Sequence, residues 1–365
     1  MSGRLLYLVH KLDFGGLQRQ LTYMLQALRE KGYRPEVVVW DHDDADVFAV
    51  RVRELGIPLH SLPSGVAGWR KIIALRGLIR KLRPDVLHCY TFYINIAARV
   101  ATLGTRVVAV GSMRSDFRTA KKKYGSTLGK LNGRWPRAQV YNSRAASDAA
   151  REWGGWFTPR RIFVVRNAID LALFRECPPP ASSTTQIVGV GSIVPIKRWD
   201  RLVKATHELT RRGRDCHVRI IGDGPLRSAL EQESRDLGVA ERVTLSGSSR
   251  SIHEALSLAS LLVHVSDSEG CPNAVMEAMA CGRPVVAMVA GDIPDLVSEG
   301  VTGFVVPCGD DQAFHDRLDS LVIDHELRAR MGANARAKAE REFSLDRLVS
   351  ETLDAYRALG WRGEI

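Results

Sequence analysis

Leu261–Met288, LLVHVSDSEGCPNAVMEAMACGRPVVAM, changes its residue pattern three times. Leu261–Val265 is a short, apolar, β-branched run of the kind that forms a buried strand. Ser266–Gly270 has turn chemistry. Pro272 suits a first helical position, where its missing N–H costs nothing. Gly282 supplies a stop and Pro284 blocks continuation, so a short helix is expected over Asn273–Cys281. Val285–Met288 is the next strand. A strand that passes its chain to a helix through such a loop leaves the N–H groups of Gly270, Cys271 and Asn273 at the positive end of a helix dipole, which makes an anion site. Glu269 stands just before that site and Glu277 one turn inside the helix. A carboxylate so near a phosphate is repelled by it. The natural partner of both glutamates is therefore a hydroxyl-rich group beside the phosphate, a ribose or a hexose.

Glu269-Gly270-Cys271-Pro272-Asn273 followed by Glu277-Ala278-Met279-Ala280-Cys281-Gly282 resembles the E-x7-E signature of the family-four retaining glycosyltransferases. That family has the GT-B architecture, α/β with two Rossmann-like parallel-sheet domains facing a central cleft. As a bare spacing, two such glutamates are more often a loop charge and a solvated helix face. The length of the surrounding string favours the signature.

The rest of the chain bounds the same reading. Its 365 residues exceed one ordinary core and suit two domains. Six scattered cysteines form no C-x-x-C pair, which fits a reducing compartment better than a disulfide framework or a structural zinc. The N-terminal apolar run is interrupted by charge and makes poor signal-peptide material. No apolar run approaches the 18 or so residues of a spanning helix. Residues 1–176 carry 30 Lys plus Arg against 14 Asp plus Glu, and the remainder 22 against 27. A basic half joined to a mildly acidic half points to a partner that is anionic on one side: nucleic acid, an acidic membrane or a phosphate-bearing acceptor.

Taken in order, Arg4–Lys11 reads as a strand and Leu17–Lys31 as a helix, with Asp13-Phe14-Gly15-Gly16 between them. A glycine pair after a first strand lets backbone approach a ligand closely. A lone pair is equally a tight turn, and it lacks the G-x-G-x-x-G spacing. In the family this loop faces the donor phosphates, which assigns Gly15 and Gly16 to the donor. Asp41-His42-Asp43 has the Asp-x-Asp form that binds a cation in the other glycosyltransferase architecture. The remaining pattern of that architecture is missing, so it reads as a solvated acidic loop and no metal is expected.

Strand Asp85–Tyr90 ends where the family carries an active-site histidine, which makes His88 a candidate. A strand-end histidine is as often structural. Arg114 matches a family arginine that reaches the cleft. Arg118, Lys121, Lys122, Lys123 and Lys130 form a basic run, and Trp153, Trp156 and Phe157 lie beside Arg160 and Arg161, an arrangement suited to a membrane interface. Asn167-Ala168-Ile169-Asp170 resembles the family segment that closes the first domain.

Cys177–Thr185 is Pro- and Ser/Thr-rich and reads as a linker. Beyond strand Gln186–Val190, the family supplies an arginine and a lysine to the donor diphosphate. Lys197 matches the lysine. Ser192 stands where the arginine is expected, a weaker phosphate partner than a guanidinium fork, and Arg198 is the candidate substitute. Gly222 belongs to a second Gly-rich turn, and Ser248–Arg250 stand where the family holds the nucleotide base.

These readings give a basic, acceptor-binding domain over 1–176, a linker over 177–186, a nucleotide-sugar-binding domain over 187–342 and a terminal helix over 343–365 that in GT-B proteins returns to the first domain. The resemblance implies transfer of a hexose or N-acetylhexosamine from a UDP-sugar, less favourably a GDP-sugar, to a lipid-linked or polysaccharide acceptor with retention. Catalytic roles fall to Glu269, Lys197 and His88. Donor binding falls to Gly15, Gly16, Ser192, Lys197, Arg198, Gly222, Gly270, Cys271, Pro272, Asn273 and Glu277, both catalytic and donor-binding sets acting with no cofactor beyond the nucleotide sugar. A nucleotide-sugar epimerase of the same architecture is one alternative. A basic nucleic-acid-binding protein is another, but no nucleic-acid module is recognisable and no such partner is expected. A cytoplasmic protein held on the inner face of an anionic membrane is the expected setting.

Overall fold

The computed structural model describes residues 3–13, 15–117, 120, 127–178, 183–249 and 251–363. The chain forms two compact units, Met1–Ala168 with Leu345–Ile365, and Ile169–Ser344. In the first, strands β1 (Arg4–Val9), β2 (Arg34–Val39), β3 (Leu59–Ser61), β4 (Val86–Cys89), β5 (Val108–Met113), β6 (Ala138–Tyr141) and β7 (Arg161–Val164) make a sheet ordered β3-β2-β1-β4-β5-β6-β7. In the second, β8 (Thr185–Val190), β9 (Cys216–Ile221), β10 (Val243–Leu245), β11 (Leu261–His264), β12 (Val285–Met288) and β13 (Gly303–Val306) are ordered β10-β9-β8-β11-β12-β13. Both sheets are parallel throughout.

Parallel strands covered on both faces need continuous apolar runs rather than alternation. β12 is such a run, as is β11 up to its last residue His264, and every residue of both is buried. The crossover helices carry apolar residues at helical spacing on the face they bury. In Trp199–Arg211 these are Trp199, Leu202, Val203, Ala205 and Leu209, which close the second core with Ile187, Val218 and Val263.

The division falls after Ala168, earlier than the boundary expected at 176, because Ile169 and Phe174 pack into the second unit's core beside Val188 and Met276. The expected linker is tied down at both ends. Arg283 donates to the carbonyls of Cys177 and Pro178, each at 3.1 Å, and Thr185 opens β8. Pro179–Ser182 lie outside the described residues. The terminal helix Leu345–Ala358 belongs to the first unit, where Leu348, Val349, Leu353 and Tyr356 pack against Leu5, Tyr7 and Val9 of β1. Among the described residues no helix is long and apolar enough to cross a membrane.

In each sheet the strand order reverses once next to the first strand, between β1 and β4 and between β8 and β11. Loops leaving the carboxyl ends of the two strands at such a switch point diverge and leave a crevice, the usual ligand site of an open α/β sheet.

Candidate active site

At the second unit's switch point the loop after β8 meets the loop after β11. The Asp267 amide donates to the Ile196 carbonyl at 2.9 Å, which fixes one loop on the other. Across that join Lys197 Nζ lies 2.5 Å from Glu269 Oε1, so two residues far apart in sequence form one charged pair. Burial by itself pushes the Glu269 carboxyl up. The Lys197 charge, then His264 and hydrogen bonds from Lys197 and Ser266, outweigh it and hold Glu269 below the usual carboxylate range. His264 Nε2 lies 3.4 Å from the same Glu269 oxygen. Burial brings the His264 imidazole down to about 4, with Glu269 pulling the other way and Lys197 adding to the fall.

Two glycines let these loops approach. A Cβ at Gly222 would overlap the Gly191 carbonyl, and one at Gly291 the carbonyls of Glu269 and Gly270. Both take positive φ, +155° and +52°, a region side chains disfavour. The Asp292 amide donates to Gly270 O at 2.9 Å, so the segment after β12 steadies the Glu269-Gly270 backbone. Sequence reading missed Gly291, whose close approach is to the remote Glu269-Gly270 backbone, and Ser266 and His264, whose approach to Glu269 is set by how the loop after β11 turns back.

Ser192 is exposed at the mouth of this site. Arg198 departs from expectation. Its guanidinium forks onto Asp200, both contacts at 3.0 Å, and reaches Asp267 at 3.3 Å, while Arg201 grips Asp267 at 2.6 Å. Its charge is spent bracing the loop, not standing in for the absent arginine at Ser192.

The helix runs Asn273–Ala280, with Pro272 just ahead of it in an extended conformation rather than at the first helical position. Gly270, Cys271 and Pro272 are buried and Asn273 half-buried. Glu277, expected to be partly exposed in the cleft, is wholly buried at 0% exposure. Its helix carries Val275, Met276, Ala278 and Met279 around it, and a helix apolar all round is a buried one.

In the first unit, Gly15 precedes the helix Gly16–Glu30 with φ −177°. That backbone is open to any residue, so the conformation does not itself require glycine. His88 is corrected more sharply. It is 1% exposed, its Nδ1 is paired with Tyr356 Oη at 2.7 Å and its Nε2 with Ser112 Oγ at 2.8 Å. Burial, then Arg114, holds its pKa far below the free value. With both ring nitrogens engaged it ties the terminal helix to the sheet and presents no proton-transfer atom. Arg114 lies over the Tyr90 ring at 3.5 Å. In the acidic loop Asp41 pairs with Lys71 and with His10 at 2.9 Å, and Asp44 with Arg53 and His42. Arg118, Lys121, Lys122, Lys123 and Arg250, and the Trp153 side chain, lie outside the described residues.

His88→Leu is accordingly expected to lower stability, by about 1–3 kcal/mol for the buried Ser112 hydroxyl left without its partner, while Tyr356 keeps its contact with the Tyr7 hydroxyl, and to leave turnover per folded molecule unchanged. Unfolding releases the imidazole to its ordinary value near 6.5, so the unfolded chain binds the extra proton and wild-type stability falls as pH drops below that value. Denaturant melts at pH 5 and pH 7.5 should show a smaller pH difference in the variant.

A model described as "Glycosyl transferases group 1" matches residues 175–338, and one described as "Glycosyltransferase Family 4" matches residues 14–173. The chain belongs to glycosyltransferase family four. Its similarity to the alpha-D-kanosaminyltransferase of Streptomyces kanamyceticus is 36% identity over 48% of this chain and 46% of that one. Over such matches the chain spans about half the length of the curated relatives. One relative aligns almost end to end: the lipopolysaccharide core biosynthesis glycosyltransferase LpsD of Rhizobium meliloti, 24% identical over 95% of this chain and 96% of its own. In structure the chain resembles Anabaena HepE, crystallised with UDP and glucose, with a TM-score of 0.83, 20% identity and coverage of 98% and 100% of the two chains. The fold of this family member is GT-B.

Proposed function

We propose that the chain transfers a hexose or N-acetylhexosamine from a nucleotide diphosphate sugar, a UDP-sugar before a GDP-sugar, to a lipid-linked or polysaccharide acceptor, with retention and without a metal. The Lys197–Glu269 pair at the switch point carries this reading, because it puts a cation for the diphosphate beside a carboxylate for sugar hydroxyls. Lys197, with Ser192, meets the phosphates. The Gly270 and Cys271 amides face the sugar and distal phosphate, Glu269 takes sugar hydroxyls near the reacting carbon, and Glu277 takes the ribose. Negative charge builds on the departing diphosphate, so a cation held close to it lowers the barrier most. The departing phosphate oxygen accepts the acceptor's proton, which needs no further base. Retention rests on the family. The UDP preference draws support from HepE, crystallised with UDP-glucose, and the glycan acceptor from the lipopolysaccharide enzyme. Asp41 is held by Lys71 and His10, which favours a structural acidic loop over a cation ligand.

Thermal shift in a chelator tests donor and metal together. UDP at 100 times its dissociation constant should stabilise by about 2.7 kcal/mol, more than equimolar GDP or ADP, and transfer should continue. Activity lost in chelator and restored by manganese would overturn the metal-free reading.

The setting proposed is the inner face of a membrane, with the first unit on anionic lipid. Trp156 is 64% exposed beneath Arg134 at 5.4 Å, and Lys130 caps Phe157 at 5.0 Å, a basic and aromatic surface. Each basic residue near an anionic leaflet adds about 1 kcal/mol. Co-sedimentation with anionic vesicles should therefore fade as salt rises from about 0.1 to 0.5 M. Indifference between neutral and anionic vesicles at low salt would sink the membrane placement and leave the donor reading standing.

A further inference from the structure

The Lys197–Glu269 pair carries a third group that the chemistry above does not use. His264 closes β11 at 4% exposure, and its Nε2 is buried without a hydrogen-bond partner. That nitrogen lies 3.4 Å from Glu269 Oε1, the oxygen already held by Lys197 at 2.5 Å. The other ring nitrogen, Nδ1, faces Ser266 Oγ at 3.5 Å, and the Ser266 hydroxyl also bonds Glu269. Lys197, Ser266 and Glu269 are the polar groups facing the ring. Two donors thus share one acceptor oxygen, and the lysine holds it.

The two donors differ in mobility and charge. Lys197 is a half-buried ammonium on a flexible stem, drawn to whatever carries more negative charge, and a diphosphate carries more than one carboxylate. His264 is fixed in the sheet and stays neutral, so it cannot follow. We propose that when a donor diphosphate draws Lys197 onto its phosphates, His264 donates Nε2–H to Glu269 Oε1 and keeps that carboxylate aligned on the sugar. The inference rests on the donor reading above. An approach of about half an ångström brings the pair into hydrogen-bond range. A neutral donor suits the task because it orients the carboxylate without cancelling the charge that accepts sugar hydroxyls. Burial, which by itself pushes Glu269 up, would otherwise favour the protonated acid once the lysine has gone. His264 is on this account a positioning residue, touching neither substrate nor the reacting atoms.

The test compares His264→Leu, which cannot donate, with His264→Gln, whose amide can. Both should bind UDP as wild type does by calorimetry. A hydrogen bond to a charged group corresponds to about 10- to 100-fold in rate. Turnover of His264→Leu should fall by that factor, and His264→Gln should recover most of it. His264→Leu turning over as wild type, or His264→Gln no better than His264→Leu at intact UDP affinity, would overturn the proposal. Lys197→Ala adds an arm free of ligand identity and of the fate of the leucine variant. With the competing donor gone, the His264 imidazole N–H proton should move downfield in the NMR spectrum, and an unmoved signal overturns the exchange. Wild-type protein that binds no UDP fails the donor reading instead, while this arm still decides the role of His264.

Discussion

Turnover of a Lys197→Ala variant is expected to fall by roughly two to three orders of magnitude, the loss on removing one preorganised partner of a developing negative charge. On the proposed donor reading Lys197 is the cation that the loop after β8 offers the diphosphate, since Arg198 is committed to Asp200 and Asp267 and Ser192 carries no charge. The fold should tolerate the change, because the Lys197 side chain keeps 23% of its exposure and its removal leaves no closed cavity. A second consequence is electrostatic. Glu269 is largely screened from water, and with the Lys197 charge gone its pKa should rise. Carbon-13 NMR of the glutamate carboxyl would show that rise, and transfer assays the rate. A variant that turns over within tenfold of wild type would remove Lys197 from the donor site.

Substitution of Glu277 is expected to separate charge from volume. The residue is wholly buried inside the helix Asn273–Ala280, in a core with Met276, Met279 and Ile293. Glu277→Gln keeps the shape and loses one anionic acceptor, so its effect should appear as UDP affinity weakened by about 10- to 100-fold, the worth of a charge-assisted hydrogen bond. Glu277→Ala loses that and also leaves a buried hole. Truncations of similar size in well-packed cores cost roughly 2–5 kcal/mol, so this variant should melt earlier as well. Calorimetry with UDP and denaturant melts of both proteins distinguish the two effects. Wild-type UDP affinity in Glu277→Gln would detach this glutamate from the ribose.

These two side chains mark where sequence and tertiary structure divide the work. The order of strands, loop and helix over Leu261–Met288 was legible because it depends on local chemistry: β-branched runs, turn residues, and a glycine stop that the structure places at Gly282 with φ +73°. The burial of Glu277 was legible only in part, since NAVMEAMA is apolar apart from Asn273 and Glu277, which share one face. The expectation of partial exposure in the cleft weighed the residue's charge above the apolar residues of its helix. The parallel sheets followed from alternation of strand and helix, and the position of the site from the carboxyl ends of the strands.

What the sequence left open was the choice of partners. Arg198 and Lys197 are neighbours with the same charge, yet one is held by Asp200 and Asp267 and the other reaches Glu269. His88 and His264 both sit in strands, yet one has both nitrogens bonded and the other has Nε2 directed at the Glu269 carboxylate. Electrostatic and hydrogen-bond energies change steeply over a few tenths of an ångström and with burial. Those distances are set where strands and loops far apart in sequence are brought side by side, so only the tertiary structure decides which charge is free to meet a substrate.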